Sequence, residues 1–87
     1  MGIQYYEGNT QLARPAKKAM AVTKSDSVNF TWIAFGIYVG VTGDVVIVNP
    51  DTTVVTFKAV PAGAILPVEC IRVNSTNTTA TDMVALF

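Results

Sequence analysis

The chain has 87 residues, 51% of them hydrophobic and only 14% charged, with six basic side chains against six acidic ones, one cysteine and no histidine. A chain of that length makes one small domain with a marginal core, and an average soluble domain is about 25% charged. The lone Cys70 rules out an internal disulfide, and the missing histidines remove the usual zinc and haem ligands and the histidine-based triads. No cofactor is expected, and oligomerisation is the aid left for so small and apolar a chain.

Charge divides the chain before any strand does. Residues 1–26 hold Arg14, Lys17, Lys18 and Lys24 against Glu7 and Asp26, while residues 27–87 hold Lys58 and Arg72 against Asp44, Asp51, Glu69 and Asp82. A basic head therefore precedes an acidic body, and the head of one subunit can meet an acidic surface on a neighbour. The expected organisation is an N-terminal arm over 1–26 and a β-domain over 27–87. Within the arm, Pro15 can open a single helical turn through Met20, but an extended arm is the favoured form. Its opening, MGIQYYEGNTQ, lacks the basic start and apolar run of a signal peptide, so the chain is expected to be made and kept in a reducing cytoplasm. The longest run without a charged or strongly polar residue, Trp32 to Val41, is about ten residues, half of a spanning helix.

From Ser27 onward, strands alternate with turns. Trp32 to Val41 places Ile33, Phe35, Ile37, Val39 and Val41 on one face and Trp32, Ala34, Gly36, Tyr38 and Gly40 on the other, with the glycines marking close packing. Thr42 and Gly43 are expected to turn the chain, with Gly43 in the left-handed conformation, because a β-branched threonine resists positive φ. The strand 44–49 returns, and NPDT puts Pro50 and Asp51 at the central positions of a type I turn before a strand over 53–59. Pro61 and Gly63 supply the next turn, and Pro67 limits 64–66 to an edge or a connection. A strand over 67–74, the polar loop STNTTATD with its hydrogen-bonding side chains, and a last strand over 83–87 complete the chain. Val45, Val46, Ile47 and Val48 are apolar on both faces, so both need a cover. The expected fold is all-β, a small antiparallel barrel or sandwich of about five to six short strands.

Nothing in the sequence assembles a catalytic site. Asp44, Asp51 and Asp82 stand at turns or strand starts, where aspartate caps backbone N–H groups, and Cys70 reads as a small buried hydrophobe. A nucleic-acid-binding barrel is the alternative of another class, with Tyr5, Tyr6, Phe30 and Trp32 to stack on bases and Arg14, Lys17 and Lys18 to meet phosphates. The estimated pI of about 6.0 and the acidic body argue against it.

The stretches GIYVGVTGDVVIV, VTFKAVPAGAILPVECIRV and TTATDMVALF, spanning roughly residues 25–87, resemble the small head proteins of tailed bacteriophages and gene transfer agents, of the spike-base or capsid-decoration type. That family is defined by assembly, so the resemblance carries over no catalytic residue. It implies a compact β-domain that forms a homo-oligomer, a trimer first and a pentamer second, on the outer surface of a head. There it cements the major capsid protein or seats a head fibre, with no membrane involved. Capsid-contact candidates are Tyr5, Tyr6, Arg14, Lys17 and Lys18. Subunit-interface candidates are Trp32, Phe35, Tyr38, Phe57 and Phe87.

Overall fold

The computed structural model describes residues 16–87. They are all-β: β1 Ala19–Ala21, β2 Gly36–Tyr38, β3 Gly43–Val48, β4 Val54–Val60, β5 Ile65–Leu66, β6 Arg72–Val73 and β7 Val84–Leu86. The strands form a four-stranded sheet in the order β1-β7-β2-β5 and a three-stranded sheet in the order β4-β3-β6, with every pairing antiparallel. Of the two architectures expected, the sheets make the sandwich and do not close into a barrel. Ile37, Leu66 and Ala85 of the first sheet share one core with Val45, Ile47, Val60 and Val73 of the second.

The β3–β4 hairpin is where local sequence governs most directly. Val45 pairs with Phe57, Ile47 with Val55 and Val48 with Val54. In the turn, Thr52 donates its N–H to the Asn49 carbonyl at 2.8 Å and the Asp51 carboxylate accepts the Thr53 N–H at 3.0 Å. The left-handed residue here is Thr52, with φ of 72°, a costly conformation for a β-branched side chain.

Gly43 does not take the left-handed turn position expected of it; Gly63, with φ of 86°, is the glycine that does so among the described residues. Gly43 instead opens β3, where an added Cβ would lie 2.4 Å from the Ala80 nitrogen. Close approach, not turn conformation, is why glycine stands there. Gly40 is held likewise, against the Asp82 carbonyl.

Strict alternation also fails in the Trp32–Val41 segment, because only Gly36–Tyr38 is strand. Phe35 N–H donates to the Leu86 carbonyl at 2.9 Å just ahead of the Gly36↔Leu86 pair, so two residues oppose one and the parity shifts. Ala34, Ile37 and Val39 consequently all reach the core, whereas Ile33 and Val41 are exposed. The expected strand over 67–74 is broken too. Val68 N–H bonds back to Leu66 across Pro67, the chain crosses between sheets through a bridge from Cys70 to Ala34, and only Arg72–Val73 pairs as β6.

Both faces of β3 are covered, as its apolar run requires. Val45 and Ile47 face the core; Val46 and Val48, 5% and 2% exposed, lie on the outer face beside Thr56 and Val54 of β4 and Arg72 of β6. The polar loop after β6 straps the remaining edge: Thr78 Oγ1 accepts the Val46 N–H at 3.0 Å, and Thr79 Oγ1 accepts the Asp44 N–H at 2.8 Å. Residues 17–25, assigned to the arm on charge, are built into the domain through β1 and through Ser25, whose N–H reaches the Val73 carbonyl at 3.0 Å. A strand, β1, therefore stands at Met20 in place of a helical turn.

Candidate functional site

The described side chains converge most clearly where β1 begins and β7 ends. Phe87 donates its N–H to the Lys18 carbonyl at 2.7 Å, and its own carbonyl accepts from Lys17 and Lys18 at 2.7 and 3.1 Å. Those bonds hold the Phe87 backbone, and Phe30 and Trp32 pack edge-on against its ring at centroid distances of 5.8 and 5.7 Å. The Lys18 ammonium sits 5.3 Å from the centre of the Trp32 ring, a cation–π pair that orders a lysine which would otherwise be mobile in solvent.

Lys17, Lys18, Trp32, Ile33, Phe35 and Phe87 line an open groove of about 400 Å³, and a smaller recess of about 190 Å³ adjoins it on the far side of Trp32 and Phe87. Among the described residues, no acidic one lines either of them. Trp32 and Ile33 remain 52% and 54% exposed, and Val28 beside the recess 68%. Exposed apolar side chains and two lysines thus stand together on this face. The groove offers no nucleophile and no proton-transfer pair; what it can do is take up an apolar side chain while its ammonium groups meet a carboxylate.

The predicted residues are divided by the structure. Lys17, Lys18, Trp32, Phe35 and Phe87 come together in this groove. Tyr38 lies elsewhere, on the outer face of the first sheet in register with Ala21, Val84 and Ile65, and Phe57 packs half-buried on the core from β4. Tyr5, Tyr6 and Arg14 lie outside the described residues. Sequence reasoning passed over Val28, and it put Ile33 opposite Trp32; bends at Thr31 and Trp32 bring both side chains to the surface together.

Elsewhere, the ionisable groups hold backbone. Asp26, its carboxyl depressed chiefly by the Thr76 hydroxyl and then by backbone N–H groups, ties the segment after β1 to the loop after β6. Asp44 is lowered first by the Ala59 N–H at 2.8 Å and then by Lys58, which it meets at 3.3 Å. The Thr53 hydrogen bonds lower Asp51. Burial pushes the Cys70 thiol up to about 11, the behaviour of a core residue and not of a nucleophile.

The chain is similar to one in a solved structure described as the capsid of a native GTA particle computed with C5 symmetry. The TM-score is 0.76, with 34% of residues identical over 84% of each chain. The chain belongs to the gene-transfer-agent capsid proteins. No protein-family model and no curated protein matches it. A capsid protein of this family is a virion structural protein and not an enzyme, in keeping with a candidate site made of aromatic rings and ammonium groups.

Proposed function

We propose that this capsid protein is a decoration or head spike-base protein. On this reading it is a homo-oligomer, trimeric or else pentameric, seated on the outer surface of a phage-like head, which it stabilises or on which it seats a fibre. The similarity to a chain of a gene-transfer-agent capsid carries the reading. The Lys17–Lys18–Trp32–Phe87 groove is the surface that meets the shell, by way of an acidic, apolar-tipped segment of the major capsid protein. Tyr5, Tyr6 and Arg14 add to that contact from the N-terminal segment.

Magnitudes make the proposal testable. Trp32 is about half exposed, and covering on the order of 100 Å² of apolar surface at roughly 25 cal/mol per Å² contributes about 2–3 kcal/mol. Heads lacking the protein are mixed with the purified chain and sedimented. The Trp32→Ala/Lys18→Glu double variant should need roughly 30–100-fold more protein for the same occupancy. Unchanged occupancy would show that the groove is not the anchor.

A further inference from the structure

The sandwich has four outer strand edges, and they are not equally protected. The β6 edge is covered by Ser25 and Phe30, which donate to the Val73 and Ile71 carbonyls, and β5 is only two residues long. β4 is the longest strand, seven residues, and its free edge can be read from the ladder. Val46 and Val48 of β3 direct their backbone groups to the β6 side, where Thr78, Asn74 and Ile71 meet them. Val45 and Ile47 therefore bond to Phe57 and Val55, and the N–H and C=O groups of Val54 and Thr56 point outward.

No described residue pairs with those outward groups. Nor is the edge guarded as isolated edges usually are. Val54 and Val55 are 54% and 36% exposed, no proline interrupts the strand, and its one charged residue, Lys58, is drawn to Asp44 beyond the apolar half.

On the opposite side of the sandwich lies a second open edge. Residues 22–25 carry the chain from β1 to β6, and residues 61–64 join β4 to β5, so the β1 and β6 edges share one side while the β4 and β5 edges share the other. β1 bonds to β7 through Lys18, Met20 and Val22, leaving Ala19 and Ala21 directed outward. Both alanines are exposed and small enough for a strand carrying valines to approach. The two edges also differ in charge, with Lys17 and Lys18 leading into β1 and Asp51 leading into β4.

We propose that the open edge of β4 receives the β1 edge of a second copy of this chain, in a parallel pairing that sets Met20 beside Val54, so that the outward groups of Ala19 and Ala21 bond to those of Val54, and that sets Lys17, with Lys18 next to it, beside Asp51. An antiparallel pairing would bring those lysines toward Lys58 instead. Because the paired edges are different and lie on opposite sides, the contact is head-to-tail, the type that makes a ring where its rotation closes and a filament where it does not; the capsid-bound oligomer is the closed case. The inference rests on the reading of the chain as a capsid-bound oligomer and names the strands that join it.

Cysteine placement tests it, both on the purified chain and on assembled heads. Neighbouring strands bring Cα atoms within disulfide reach, and the native Cys70 is fully buried. Under mild oxidation the Met20→Cys/Val54→Cys double variant should form inter-copy bridges up to a closed ring size, while each single variant stays unbridged. Thr56→Pro removes only an outward N–H, so it should abolish the oligomer and leave the unfolding midpoint of the domain nearly unchanged. Dimers from Val54→Cys alone would overturn the proposal in favour of β4 meeting β4. An oligomer that shows no bridge and survives Thr56→Pro would overturn the strand assignment and leave the oligomer reading standing. A monomer under both conditions would overturn both.

Discussion

Gly43→Ala is the sharpest test of why the fold closes as it does. The new methyl carbon would sit 2.4 Å from the Ala80 nitrogen and 2.7 Å from both Ala80 Cα and the Thr79 carbonyl carbon, all backbone atoms with no rotamer to escape into. Relief requires the 78–80 strap to move away from β3. That strap is held by the Thr79 and Ala80 N–H groups on the Asp44 carbonyl at 2.9 and 3.1 Å, by Thr79 Oγ1 on the Asp44 N–H, and by buried Thr78 Oγ1 on the Val46 N–H. Losing two or three such bonds at roughly 1 kcal/mol each predicts a destabilisation of about 2–3 kcal/mol, a large share of the 5–15 kcal/mol typical of a domain. Gly63→Ala is the control: its Cβ meets nothing within 4 Å, so only its φ of 86° opposes the change, at about 1–2 kcal/mol. Urea unfolding followed by tryptophan fluorescence measures both. A Gly43→Ala cost below that of Gly63→Ala would refute the close-approach argument.

Two further outcomes follow from ionisable groups. Asp26, Asp44 and Asp51 are all held below their ordinary value of 3.8. A depressed carboxylate adds stability that is present above its unfolded pKa and lost as pH falls through its folded one. The urea midpoint should therefore drop as pH falls below about 4, and Asp26→Asn should flatten that drop; an unaltered acid limb would contradict the Asp26 bridge. Cys70, fully buried and with its thiol raised to about 11, should react with a thiol reagent at pH 8 only as fast as the domain opens, and at once in denaturant. Immediate reaction in the folded protein would place Cys70 outside the core.

The all-β sandwich and the hairpin at its centre were legible because their signals are local. The unbroken β-branched run Val45–Val48 and the Asn-Pro-Asp-Thr turn specify the pairing with 54–60 whatever surrounds them. The first sheet was much less legible. β1 is three residues of alanine and methionine whose place is decided by hydrogen bonds to β7, some sixty residues away, and no periodicity records that. The bulge at Phe35–Gly36 shifts the parity of a segment that reads as one long strand, so Ile33 and Trp32 were assigned opposite faces. Gly43 was read as a turn glycine because the backbone it touches lies 37 residues later, at Ala80. For the groove, residue types were legible and grouping was not. Aromatic and basic residues stood out, but only the fold separates Trp32, Phe35 and Phe87 from Tyr38 and Phe57.

The proposed place of this capsid protein is the outer surface of the head. Imaging of purified heads by electron cryo-microscopy, with and without the chain, tests it most directly. The account predicts added density of one small β-sandwich per subunit on the outer face of the shell, oriented with Trp32 and Lys18 against the major capsid protein. Heads whose outer surface is the same with and without the chain would contradict it.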